Sequence, residues 1–160
     1  MSLESVRAFF LAKAPDLHII ELDTSTATVA LAAEAHGVEP GQIAKTLAFR
    51  VGERNVLLVA RGDARIDNKK IKNALGSKAK MLDADTVVAL TSHPVGGVCP
   101  FGLATDLAVY CDISLKAFTE VMPAAGATHT AVRISPDRMA ELVNAQWVDV
   151  CQASQTAEAV

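Results

Sequence analysis

The run Ile43-Ala44-Lys45-Thr46-Leu47-Ala48-Phe49-Arg50-Val51 sets one lysine among apolar residues. In an extended chain, alternation puts Lys45 on the same face as Ile43, Leu47, Phe49 and Val51, and that face should look inward. A lone ammonium aimed at a core is costly unless it is paired or reaches a wet site. Two readings follow. Lys45 is a strand-end lysine whose stem lies on apolar surface with its amine in solvent, or a cation entering a pocket, able to hold a phosphate or polarise a carbonyl. The second candidate is His93-Pro94-Val95-Gly96-Gly97-Val98-Cys99-Pro100-Phe101-Gly102. Its glycines let main-chain N–H groups approach a ligand, while Pro100 limits the wandering that glycine permits. From Gly97 to Gly102 the spacing copies the start of a phosphate-binding P-loop, but Leu103-Ala104 stand where Lys-Ser/Thr is required, so that motif is rejected.

His129 follows Ala124-Ala125-Gly126 and shares a face with Ala131 and Arg133, where an imidazole could orient a substrate or carry a proton near neutral pH. Cys99 would be a nucleophile if a base adjoined it, yet no cysteine-protease signature surrounds it. No serine or cysteine triad and no H-E-x-x-H spacing is present, so neither a metal nor a cofactor is expected. Cys99, Cys111 and Cys151 are odd in number and lack C-x-x-C spacing, which argues for reduced thiols rather than a disulfide framework or structural zinc.

Local signals define the elements that must position these groups. Ser2 can cap a helix to about Ala14, with Val6, Phe9 and Phe10 as its stripe and Pro15 as its stop. Leu17 to Leu22 reads as a strand. Thr24 or Ser25 can cap a second helix that carries Val29, Ala32, Ala33 and Ala35 and ends at Gly37. Ile43 to Val51 and Asn55 to Ala60 flank Gly52-Glu53-Arg54 as a hairpin. Asn68 to Leu75 is helical up to Gly76, and Asp83 or Asp85 opens another short helix through Val88 and Leu90. Leu107–Cys111, Phe118–Pro123, Thr128–Ile134 and Trp147–Val150 are strand candidates, and Ser135-Pro136-Asp137 starts a helix. Without a regular βαβ rhythm, this order predicts an α+β fold, one domain over residues 1–151 with a mixed, mostly antiparallel sheet flanked by helices. Residues 152–160 read as a frayed tail.

At 160 residues, with 51% hydrophobic and 21% charged side chains, the chain can build one good core without staples. No stretch approaches the roughly 20 apolar residues a membrane helix needs, and the N-terminus carries charges where a signal peptide is apolar, so a cytoplasmic protein without membrane contacts is expected. The net charge of −3 argues against bulk binding to DNA. Charge is uneven, however. From Arg61 to Lys80 seven basic side chains, among them Arg61, Arg65, Lys69, Lys70 and Lys72, face only Asp63 and Asp67. That stretch is a solvated helix face or a local site for a polyanion.

Taken in order, Gly37-Val38-Glu39-Pro40-Gly41-Gln42-Ile43-Ala44-Lys45-Thr46-Leu47, Gly62-Asp63-Ala64-Arg65-Ile66-Asp67, Leu75-Gly76, the loop Gly96 to Gly102, Asp112, Ala125-Gly126 and Arg133-Ile134-Ser135-Pro136 resemble the YbaK/prolyl-tRNA-synthetase-associated domain family. The resemblance spans about residues 20 to 150. It implies a compact α+β fold and a free-standing hydrolase that removes a small amino acid wrongly attached to tRNA-Pro or a related tRNA. By resemblance, Lys45 is the functional lysine and anchors the phosphate or terminal ribose of the acceptor end. Gly96 and Gly97, with Val98, Cys99, Pro100 and Phe101, form the substrate loop whose amides hold the aminoacyl carbonyl. Thr46 lines the amino-acid pocket, and His129 matches a histidine present in some subfamilies. Aminoacyl-tRNA is the implied partner, with an aminoacyl-tRNA synthetase as a second one; the basic stretch becomes a tRNA contact. An aminoacyl ester is already activated, so positioning and charge stabilisation suffice without a protein nucleophile. Two other expectations compete: a non-catalytic tRNA- or synthetase-binding module of the same fold, and a thiol hydrolase built on Cys99.

Overall fold

The computed structural model describes residues 2–152; the expected tail beyond Gln152 and the capping side chain of Ser2 lie outside what is described. Five helices and eight strands follow in the order α1 (Ser2–Lys13), β1 (Ile20–Glu21), α2 (Val29–His36), β2 (Ile43–Val51), β3 (Arg54–Arg61), α3 (Asn68–Leu75), β4 (Ala79–Met81), α4 (Ala84–Thr91), β5 (Ala108–Asp112), β6 (Met122–Pro123), β7 (Thr130–Ala131), α5 (Pro136–Leu142) and β8 (Gln146–Val148). Short 3-10 turns cover Pro40–Gln42 and Ile113–Ala117. The fold is α+β with a mixed sheet, as the element order implied. Its six strands run β4-β2-β3-β5-β8, with β6 beside β2, and a separate ribbon pairs β1 with β7.

The β2–β3 hairpin is the spine, antiparallel from Ala44↔Arg61 to Val51↔Arg54. Val56 to Ala60 are all fully buried, because helices cover both faces of β3. One face sets Ala44, Ala48, Leu57 and Val59 against α1, Phe101, Leu115 and α5. The other sets Phe49, Val51, Val56 and Leu58 against Ile71 and Leu75 of α3. A third cluster joins α2 to Ile43, Met122 and Ala131. Phe10 of α1 meets Phe101 with ring centroids 4.8 Å apart, which ties the first helix to the glycine loop.

Caps explain most helix ends. Asp67 accepts from the N–H groups of Lys69 and Lys70, and Asp83 from that of Thr86, as carboxylates do at helix starts. Helix α2 departs from expectation: Thr28, not Thr24 or Ser25, accepts from Leu31 N–H, so the helix starts later. The candidate strands 17–22, 118–123 and 128–134 shrink to the pairs forming β1, β6 and β7. In the 118–123 case, Asp112 accepts from Ser114 N–H and winds the chain into the 3-10 turn ahead of it. β4 carries no alternation strong enough to flag it, and Lys80 sits mid-strand. No helix among the described residues is long and apolar enough to cross a membrane.

Arg138 of α5 makes two hydrogen bonds to the Asp16 carboxylate, at 2.7 and 2.6 Å, and holds it down to about 2. An acid whose folded pKa lies below its unfolded value, about 3.9, stabilises the fold above that value. The contribution shrinks as pH falls below about 4 and is lost as pH falls through about 2. Asp16→Asn is therefore expected to lower the melting temperature at pH 7 and to have a much smaller effect near pH 2; an equal difference at both pH values would show that the pair does not act through ionisation.

Candidate functional site

Strand β2 is covered on its outer edge only at its ends. β6 runs parallel to it at Ile43 and Ala44, and β4 pairs with Phe49 to Val51. A cavity of about 410 Å³ follows the uncovered stretch between them. Its floor is Ala44, Thr46 and Ala48; Val29 and Ala32 of α2 and Val87 of α4 form walls, and Val95, Gly96 and Val98 of the glycine loop form the rim. The volume is in the range of small-ligand sites. The lining is largely apolar, and Lys45 is its one ionisable residue among the described residues.

Lys45 pairs through its main chain with Ala60 of β3, and its side chain leaves on the α3 face, as alternation required. There the apolar layer gives way to the turn after β3. Lys45 Nζ donates to Ala64 C=O at 2.5 Å. Burial pulls this amine below the ordinary lysine range, and nearby Asp63 works in the opposite direction. Thus Lys45 is a half-buried cation on the cavity border, with one of its three protons committed to a carbonyl.

The polar groups of the lining differ in what remains available. Thr26 Oγ1 donates to Thr128 C=O, Thr28 Oγ1 caps α2, and Thr130 Oγ1 donates to Ala127 C=O. Thr46 Oγ1, by contrast, is buried without a hydrogen-bond partner among the described residues. On the rim, the N–H groups of Gly96 and Val98 make no main-chain hydrogen bond among the described residues. Gly96 has φ +90° and lies so close to Ala27 that an added Cβ would sit 2.8 Å from the Ala27 Cβ.

Lys45, Thr46, Gly96 and Val98 thus meet around one cavity. The other residues expected at the site do not join its lining. Gly97 N–H closes a turn onto Pro94 C=O, and Gly97 C=O accepts from Gly126, so its amide is not available to a ligand. Cys99 and Phe101 are fully buried in the main core, Phe101 against Phe10, and Pro100 is buried beside them. Cys99 Sγ does lie 3.5 Å from His93 Nε2, a neighbour the sequence did not identify. Burial pushes that thiol up to about 12, and His93 is itself fully buried, its Nε2 2.7 Å from Phe101 C=O. A protonated thiol closed off from solvent is no nucleophile, which removes the thiol-hydrolase expectation. His129 lies half exposed with Nε2 3.6 Å from the Glu21 carboxylate, away from the lining.

The basic stretch also divides. Arg61 forms two hydrogen bonds with Asp63 and stacks over Phe118, with 5.0 Å to the ring centroid. Lys70 Nζ is held by Asp149 and by Cys151 C=O. Arg65, Lys69 and Lys72 are exposed. Arg50, Lys78 and Lys80 border a separate groove next to β4, where Arg50 and Lys80 are direct cross-strand partners. Like charges so opposed repel. The residues missed from sequence, such as Met81, Leu82, Val87 and Met122, carried no local chemical signal, since only packing brings them to the cavity.

A family model described as the aminoacyl-tRNA editing domain matches residues 23–142. The uncharacterized protein YwhH of Bacillus subtilis (strain 168) is 47% identical over 154 residues, covering 95% of this chain and 98% of its own. The proline--tRNA ligase of Desulfovibrio desulfuricans is 32% identical over 115 residues, which are 71% of this chain and 20% of the ligase. Among solved structures, one provisionally described as a trans-editing enzyme for prolyl tRNA synthetase superposes with a TM-score of 0.88 at 31% identity, covering 95% of this chain and 98% of the other.

Proposed function

Since the chain belongs to the aminoacyl-tRNA editing domain family, we propose that it hydrolyses the ester between a small amino acid and the terminal adenosine of a tRNA, acting in trans on tRNA-Pro or a related acceptor. The observation that supports this reading is the cavity itself, bordered by Lys45 and by Gly96 and Val98, whose N–H groups make no main-chain hydrogen bond among the described residues, around a space sized for one aminoacyl end. The likeness to a ligase domain and to a structure described as a trans-editing enzyme supports the substrate class and the link to a prolyl-tRNA synthetase.

In the proposed reaction water adds to the ester carbonyl carbon, the carbonyl oxygen takes the negative charge, and the bond to the ribose oxygen breaks. The ribose oxygen leaves with a proton, giving free amino acid and intact tRNA. The rim amides of Gly96 and Val98 donate to the developing oxyanion. Lys45 anchors the terminal ribose or its phosphate and so fixes the ester relative to the rim. His129 is given no role in this scheme, because it is absent from the cavity lining and its Nε2 lies 3.6 Å from the Glu21 carboxylate. The physical need is clear: one methylene is worth only about 1–3 kcal/mol to a synthetase pocket, so a smaller amino acid slips through and a second, smaller site must remove it.

Arg50, Lys78 and Lys80 stand beside the cavity end formed by Met81 and are the best placed cations for the acceptor-stem backbone, with Lys69 and Lys72 on α3 and Arg65 in the segment before it. A phosphate between Arg50 and Lys80 would relieve their mutual repulsion, and affinity for tRNA should fall with added salt.

A deacylation screen over Ala-, Ser-, Thr- and Cys-charged tRNA-Pro tests the reading. Release of at least one amino acid well above the spontaneous rate is expected. Salt-sensitive tRNA binding with no release from any of the four would instead identify a non-catalytic tRNA-binding module.

A further inference from the structure

The uncovered middle of β2 exposes one residue's main chain to the cavity. Leu82 N–H donates to Ala48 C=O, so Ala48 directs its main-chain groups to the outer edge. In an extended chain residues two apart point the same way, which assigns Ala44, Thr46 and Ala48 to that edge and Lys45 and Leu47 to the β3 ladder. The two-residue turn Gly52-Glu53, closed by the pair Val51↔Arg54, gives the same parity from the other end of the hairpin. β6 takes up Ala44, while Ala48 meets Leu82; neither β4 nor β6 extends to Thr46. Thr46 N–H and C=O therefore face the cavity side by side, with the unpartnered Thr46 hydroxyl next to them.

Resting on the editing reading, we infer that Thr46 grips the substrate as a neighbouring strand would, its C=O accepting from the α-amine of the aminoacyl group and its N–H donating to the ester carbonyl. Two residues in an antiparallel pair exchange this same set of bonds. An α-aminoacyl ester carries the matching unit, an amine and a carbonyl flanking one carbon. The carbonyl oxygen has two lone pairs and gains a third as it becomes the oxyanion, so Thr46 N–H leaves room for both rim amides, Gly96 and Val98.

The clamp also explains the chemistry of the lining. Among the described residues no carboxylate borders the cavity to receive an ammonium, and a main-chain carbonyl takes that role. Directly paired residues put their side chains on one face of a sheet. An L-aminoacyl side chain would then lie on the face of Thr46, between the small Ala44 and Ala48 and below Val87 and Val98. A D-aminoacyl side chain would turn to the face from which Lys45 departs. The site thus selects L-α-aminoacyl esters with a hydrogen-bonding amine.

Alanyl-, D-alanyl- and propionyl-tRNA-Pro, the last lacking the amine, distinguish the possibilities when each rate is divided by its uncatalysed hydrolysis. Losing one hydrogen bond is expected to lower that enhancement about ten-fold for propionyl-tRNA, with a similar loss for D-alanyl-tRNA. Thr46→Pro, which deletes an N–H that the β3 ladder does not use, is expected to fall about ten-fold below Thr46→Ala. Equal enhancement for alanyl and propionyl esters would overturn the clamp. A titration of ¹⁵N-labelled protein with 3′-alanylamino-3′-deoxyadenosine reads it without turnover: the Thr46 amide resonance should shift, and shifts at Gly96 and Val98 alone, or none, would count against it. Should no charged tRNA be hydrolysed while the Thr46 amide still shifts, the editing reading fails and the clamp stands.

Discussion

Lys45→Ala is expected to lower kcat/KM for deacylation by about 10²–10³ while leaving the fold intact. Removing a positioned donor or cation from a water-poor site typically costs a factor of this size. Stability should be nearly unchanged, because Lys45 contributes one hydrogen bond to Ala64 C=O in a turn that is only half-buried. Its main-chain pairing with Ala60 does not depend on the side chain. Circular dichroism and the melting temperature check the fold, and steady-state deacylation the activity. Lys45→Arg refines the result. It keeps the charge but replaces a compact ammonium with a planar fork, so a partial recovery is expected in KM rather than kcat if the cation anchors phosphate or ribose. Full activity in Lys45→Ala would remove the central cation from the mechanism.

Gly97→Ala is expected to lose stability and activity together. An added Cβ would lie 2.7 to 2.9 Å from the N, C and Cα atoms of Ala127, closer than real Cβ atoms come. Those atoms cannot yield easily. Gly126 N–H is bonded to Gly97 C=O at 3.1 Å, and Ala127 is braced in both directions by Thr130 Oγ1. Overpacking against fixed backbone costs about 1–3 kcal/mol, which for a chain of this size lowers the melting temperature by roughly 3–10 °C. The rim would shift away from the cavity, and at least a ten-fold drop in kcat/KM is expected, since displacements near 1 Å can cost more than that. Gly37→Ala is the control. It meets open space, carries only the strain of φ +67°, about 1 kcal/mol, and lies outside the cavity lining. A Gly97→Ala protein with unchanged melting and unchanged turnover would contradict this account of the loop.

Much of the fold was readable wherever a signal was local. The β2–β3 hairpin followed from two apolar runs around Gly52-Glu53-Arg54, of which Arg54 joins β3, α3 from its end at Gly76, α4 from Asp83, the first of two possible starts, and α5 from Ser135-Pro136. β1, β6 and β7 were overestimated in length, because two paired residues leave no periodic pattern to measure. The site divides the same way. Lys45 and Thr46 were evident from strand parity and resemblance, and both border the cavity. Within the glycine loop, composition could not separate Gly96 and Val98, which face the cavity, from Gly97, tied to Pro94, or from Cys99 and Phe101, turned into the core.

What the sequence alone determined is the inventory: an ordered set of motifs placing the chain in its family, one lysine on the otherwise apolar face of a strand, and a stiff glycine loop. The tertiary structure alone decided where β4 and β6 stop along β2, and hence that a cavity opens at Thr46; it also decided which amides and cations of the inventory remain uncommitted. The reason is that alternation, caps and turns act between residues close in the chain. Whether a main-chain group is left without a partner depends on where distant strands begin and end, and no local pattern carries that information.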